Sequence, residues 1–310
     1  MRSRLLPTIL PLAAASVLAA GAALAAGRLL EGMSSAAAYE VTWVPRSEAL
    51  RLASRATRLS FADYYWLSTI QYIGDPQARA QRYPKLLPLL DLVTDLDPDH
   101  GYAYQTGGIV LSAEGRLDES DRLLKKGMEK GPNWWSYPFY VAFNHYFYRG
   151  DFAEGARWAE IAARTPGASS NISHLALSLN VKSGSTEHAI AFLSELRKVA
   201  KDDVTAKALD EQYRLAVLQQ EFQRLDAAVE RYVAAAGRAP SRLEELVAAG
   251  HLDRLPGPDP FGGRFELREG KVHATGRDQR IGARREIPSL IRRPDPSSPK
   301  AYVPPGAPSP

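Results

Sequence analysis

Residues 101–134 read GYAYQTGGIVLSAEGRLDESDRLLKKGMEKGPNW. Small and apolar side chains recur every three or four positions: Tyr104, Gly107, Gly108 and Leu111, then Leu117, Ser120, Leu124 and Gly127. That is the period of a helix that buries one face. Gly115 interrupts the pattern where a turn is needed, and Pro132 closes it. The stretch predicts two helices folded back on one another.

The same punctuation returns along the chain. Pro98, Pro132 and Pro166 are 34 residues apart, and Gly115, Gly150 and Gly184 stand at turn positions. A second unit starts near Ser136 and carries Phe139, Ala142, Phe143, Tyr146, Phe152, Gly155, Ala159 and Ala162. A third starts near Ser170, with Ala176, Leu177, Ala189, Leu193 and Leu196. An earlier one runs from Ala62 to Pro98 with a longer turn. Residues 203–236 then predict one long helix, with Leu209, Tyr213, Ala216, Phe222, Leu225, Val229 and Tyr232 at helical spacing. It is expected to cap the last unit, because an end unit needs a polar outer face.

A helix–turn–helix unit of this length resembles the tetratricopeptide repeat. The resemblance implies a mainly α fold, an α-solenoid of helical hairpins over residues 62–236. It also implies that positions 2, 5, 9, 12 and 13 of each first helix face a concave groove. In the first full unit these are Tyr102, Gln105, Ile109, Ser112 and Ala113. In the next they are Tyr137, Tyr140, Asn144, Phe147 and Tyr148, and in the third Asn171, His174, Ser178, Val181 and Lys182. Tyr102, Gln105, Tyr137, Tyr140, Asn144, Phe147, Tyr148 and His174 are the expected partner-binding residues. Only Lys182 supplies a cation to this set, so a carboxylate chain end is not the expected ligand. A neutral or aromatic peptide suits ring faces with Asn and Gln beside them. The alternative is that the rings pack against the long helix or the carboxy-terminal module.

Residues 1–32 begin with Arg2 and Arg4, followed by an uncharged run from Leu5 to Gly27. A positive start before an apolar run reads as an export signal. Its length suits an uncleaved membrane anchor; the small residues of Ala23-Leu24-Ala25 offer the alternative of cleavage. Either way the bulk of the chain is expected in a bacterial periplasm, held at the inner membrane if the anchor persists. Residues 33–61 form the juxtamembrane segment.

After Gly237 the text changes to GRAPSRLEELVAAGHLDRLPGPDPFGGRFELREGKVHATG. Ser241 and Glu244 predict a capping box on a short helix. Residues 264–268 and 271–275 predict two strands about Glu269-Gly270. Residues 237–276 are similar to the carboxy-terminal module of major pseudopilins, through Gly237, Pro240, Leu243, Leu246, Asp259, Pro260, Gly262 and Phe265. Residues 277–310, rich in Pro, Arg and Ser, are expected to be a disordered tail.

The composition removes several chemistries. With no cysteine, disulfides, thiol catalysis and thiolate metal sites are excluded. A net charge of +4, spread along the chain, does not point to nucleic acid. The six histidines show no ligand spacing, and no phosphate loop or nucleophile elbow is present. Asp95, Asp97 and Asp99 imitate the start of a calcium loop, but His100 stands where the glycine belongs. No metal, cofactor or catalytic residue is expected. The layout, including Ala62-Asp63-Tyr64-Tyr65-Trp66-Leu67-Ser68-Thr69-Ile70-Gln71-Tyr72, resembles repeat proteins encoded with type IV pilus genes and an ABC transporter. That resemblance implies a non-enzymatic protein–protein interaction scaffold, with pilus or transporter components as partners. A generic adaptor for secretion or envelope assembly is the first alternative, and an enzyme with an unrecognised site in the carboxy-terminal module the second.

Overall fold

The structure is a computed structural model that describes residues 44–51 and 55–282. Its helices are α1 (Ser47–Arg51), α2 (Arg55–Gly74), α3 (Pro76–Ala80), α4 (Leu86–Leu96), α5 (Gly101–Ala113) and α6 (Leu117–Lys130). α7 (Ser136–Phe143) continues as a π-helix over Asn144–Arg149. Next come α8 (Phe152–Arg164), α9 (Ser170–Lys182), α10 (Thr186–Lys198), α11 (Asp203–Ala236) and α12 (Leu243–Ala248). β1 (Phe265–Arg268) and β2 (Lys271–Ala274) pair antiparallel, with Phe265 opposite Ala274. The fold is mainly helical with one small two-stranded sheet, as expected. No helix among the described residues is long and apolar enough to cross a membrane, and the expected anchor lies outside them.

Each helix packs on its chain neighbours: α5 on α6, α7 on α8, α8 on α9, α9 on α10. Small residues make these approaches possible. A Cβ on Gly127 would lie 2.9 Å from Cγ of the buried Tyr104, and one on Gly108 would lie 2.7 Å from Leu124 Cδ2. Arginines at the turns tie one unit to the next. Arg82 donates to the Glu114 carbonyl at 2.6 Å, and Arg116 donates back to the Arg82 carbonyl at 3.2 Å.

The array begins earlier than the expected residue 62. α1 packs on α4, Val44 and Leu50 close over Ala62, Leu92 and Leu96, and Ser47 donates to Asp95 at 2.8 Å. The residues that lengthen the first turn form α3, capped by the Asp75 side chain on the Gln77 amide.

α11 has the bounds expected for the long helix and belongs to two cores. Leu209, Leu215 and Ala216 join the core of the last hairpins; Leu218, Phe222, Leu225 and Tyr232 join Leu246, Phe265 and Val272 of the terminal module. In that module the expected capping box is replaced. Ser241 N–H donates to Glu245 rather than Glu244, because Glu245 also accepts from the Tyr232 hydroxyl and pairs with Arg238. The Tyr232 hydrogen bond leads in holding the Glu245 carboxyl down to about 2. Gly263 is required by contact: a Cβ there would lie 2.1 Å from the Gly276 amide.

The tail does not start at residue 277. Arg277 pairs with Glu211, Arg280 pairs with Asp226, and Ile281 is buried, so Arg277–Gly282 straps across α11. Residues 283–310 lie outside the described residues.

Candidate functional site

α5 and α9 each have 13 residues, whereas α7 and its π-segment run from Ser136 to Arg149. The turn glycines all take left-handed φ: +75° at Gly115, +71° at Gly150 and +81° at Gly184. They are spaced by 35 and then 34 residues, so the first helix of the second unit carries one extra residue. A π-turn absorbs one extra residue without ending the helix, and such turns are frequent at functional sites. Each helical residue turns the chain by about 100°, so one extra residue within the segment changes where its last side chains, Phe147 and Tyr148 among them, fall around the helix.

A buried polar set pins this segment to α5 and α6. Asn144 is fully buried. Its Nδ2 donates to Ser120 Oγ at 3.0 Å and to Asp121 Oδ1 at 2.8 Å. Ser112 donates to Asn144 Oδ1 at 2.7 Å, and Ser120 donates to the Gly108 carbonyl at 2.9 Å. With those two serine protons so placed, each buried polar atom of the set has a partner. Arg149 completes the frame, donating to Asp121 and Asp118 at 2.8 Å each. His145 is held beside this set with each ring nitrogen 3.8 Å from a carboxylate, too far to bond. Burial holds its pKa below the ordinary histidine value; Arg149 acts in the same direction and Asp121 opposes.

The expected partner-binding residues divide on this frame. Tyr102 is 62 % exposed on α5, its ring edge-on to Trp134 at 5.1 Å. Gln105 is half-buried and accepts from Ser136 at 2.7 Å. Tyr140, Phe147 and Tyr148 are half-buried. Phe147 stacks on Phe143 at 4.7 Å, and Tyr148 sits edge-on to both rings. His174 is exposed on α9.

Tyr137 and Asn144 are corrected. Both are fully buried, not on an open face. Tyr137 stacks on Trp134 at 5.8 Å and donates its hydroxyl to the Gly101 carbonyl at 3.1 Å. Burial pushes its phenol up, so it stays a donor. Ser112 lies inward for the same reason as Asn144: the two side chains bond each other in the buried set that also holds Ser120. Conversely Phe143, expected in the core, is half-buried and joins the ring face. The density of rings in residues 133–152 was the signal; which of them face outward was not written there.

The ring face offers apolar area, quadrupoles and few charges, which suits an extended neutral segment. A cleft of about 810 Å³ lies elsewhere, between α10, α11 and Phe261. There Asp210 pairs with both Arg197 and Arg214, an arrangement of mutually satisfied surface charges. Among the described residues no cluster of His, Asp and Glu could hold a metal ion. No family model, no curated protein and no solved structure matches the chain.

Proposed function

We propose that this chain is a non-enzymatic scaffold of tetratricopeptide type that docks partner proteins on the ring face of α7 and its π-segment. In this reading residues 1–32 anchor it in the bacterial inner membrane, and the bulk lies in the periplasm. The partners are components of type IV pilus assembly or motility, or of the companion transporter. One observation carries the docking role: stacked rings stay half-exposed on a helix whose π-segment is fixed from behind by a buried polar frame. A face that served packing alone would gain by burying those rings fully, since apolar area removed from water contributes about 25 cal/mol per Å². The sequence likeness to pilus-associated repeat proteins supplies the choice of machine.

The test is affinity capture from detergent-solubilised membranes with the wild-type chain and a Phe147→Ala/Tyr148→Ala variant. Pilus or transporter components should be recovered with the wild type. The variant should bind roughly 30-fold more weakly, the equivalent of about 2 kcal/mol lost at an aromatic hot spot. Recovery of other envelope proteins instead would favour the generic adaptor; recovery of neither set would end the scaffold reading.

A further inference from the structure

Helix α2 is apolar on both of its faces. Its inward half buries Ala62, Ser68, Thr69 and Tyr72, and the Ser68 and Thr69 hydroxyls donate to carbonyls of their own helix. α4 packs on it, with lesser contacts from α1 and α3. The outward half carries Tyr64, 58 % exposed, Leu67, 62 % exposed, and Ile70, 41 % exposed. Leu59 and Phe61 are exposed on the same helix. Those five are nearly half of the exposed large apolar side chains among the described residues, so they form a patch rather than the usual scatter. A helix that is apolar all round is stable when both sides are covered. Each end of a helical array needs a polar outer face or a cap. At the far end α11 and the terminal module supply one. At α2, the first long helix among the described residues, the outer face is apolar instead.

Charge selects what covers it. From Leu59 to Gly74 the chain has no Lys or Arg and one acid, Asp63. Helices that rest on anionic lipid set basic residues beside the apolar side, so a bilayer surface is disfavoured. A nearly neutral face can meet its own copy across a two-fold axis without repulsion. The capped far end offers no matching surface, so head-to-head pairing closes at two copies instead of growing a filament. Leu67 lies at the middle of the outward half. With two antiparallel α2 helices crossing there, Tyr64 of each copy comes opposite Ile70 of the other. Asp63 comes opposite Gln71, whose amide can donate to the carboxylate. The two Asp63 side chains are then roughly 12 Å apart along the axis, beyond the screening length of about 8 Å at physiological salt. The Tyr64 ring already sits edge-on to Tyr65 at 5.2 Å, which limits the freedom it has to lose. At roughly 200 Å² per whole side chain, the exposed fractions of the five leave about 480 Å² on each copy. Two copies cover about 1,000 Å², the size at which specific interfaces begin.

We propose that the chain forms a symmetric dimer through the outward face of α2, with Leu67 at the two-fold axis. The pairing does not depend on the docking role of the rings on α7. Where both hold, each dimer presents two ring faces, and a partner with two docking segments binds by avidity.

Sedimentation of the full chain in detergent micelles tests it. The wild type should sediment as a dimer at micromolar concentration. Leu67→Asp and Leu67→Lys each bring like charges together at the axis, and each should raise the dimer dissociation constant roughly tenfold or more. Mixing the two variants should restore the dimer, because Asp then meets Lys. Helical content should be the same in all three, since Leu67 is exposed. The chain has no cysteine, so Leu67→Cys carries a single thiol. A short thiol-to-thiol crosslinker should join two copies through it. Tyr102→Cys, at an equally exposed position on α5, should stay uncrosslinked. A wild-type monomer at tens of micromolar, a dimer indifferent to both charges, no restoration on mixing, or equal crosslinking from positions 67 and 102 overturns the proposal. Shielding of the position-67 thiol from an aqueous reagent only when lipid vesicles are added would assign the face to a bilayer and overturn it as well. Partner capture enters none of these readouts, so failure of the dimer and failure of the docking surface are separate results.

Discussion

Asn144 shows how one side chain can be read correctly for chemistry and wrongly for place. Its type suggests hydrogen bonding, and it does bond, but to Ser112, Ser120 and Asp121 inside the protein. Asn144→Ala should therefore destabilise rather than merely weaken binding. It strips a donor from the nearly buried Asp121 and should cost on the order of 2 kcal/mol, read from the urea midpoint. His145 gives a pH signature. Its folded pKa lies below the unfolded one, so the unfolded chain takes up the proton first. The neutral imidazole's contribution is complete above about pH 6.5 and is lost as pH falls below that toward the folded value. His145→Asn should flatten this loss: the midpoint difference between wild type and variant should change between about pH 7 and pH 5 and stay constant above it. A difference independent of pH would contradict the assignment.

Among the elements, most of the helices could be read directly. Period, glycine turns and prolines located α5, α6, α8, α9, α10 and α11, because each signal acts within one or two turns of chain. The π-segment was legible only as a discrepancy, a spacing of 35 where 34 was expected. The capping box failed because Tyr232 and Arg238, distant or outside the motif, compete for the glutamate one position on. Small residues between helices make a sharp prediction here. Gly127→Ala improves local helix propensity by about 1 kcal/mol, yet its Cβ would meet the base of the Tyr104 ring. Net destabilisation of about 1–2 kcal/mol is expected, since overpacking a buried contact outweighs propensity. A stabilised variant in thermal melts would show that the α5–α6 contact yields more easily than its geometry indicates.

Across the fold, α11 matters most because two cores share it. Phe222 is fully buried beneath the Arg280 strap and edge-on to Phe265 at 5.8 Å. Phe222→Ala should cost about 3–5 kcal/mol. Because the helix is continuous, probes in the hairpins and in the terminal module should lose signal together; separate transitions would mean that the two cores unfold independently. The helical class, the repeat period, the long helix and the terminal hairpin could all be read from residue order alone, since each follows from local backbone preference and the spacing of apolar side chains. Which rings face outward, the inward placement of Tyr137 and Asn144, and the return of the strap to the repeats came only with the folded chain. Those outcomes depend on partners far away in sequence, which leave no mark on local spacing, and on a single inserted residue that shows only as the 35-residue interval from Gly115 to Gly150.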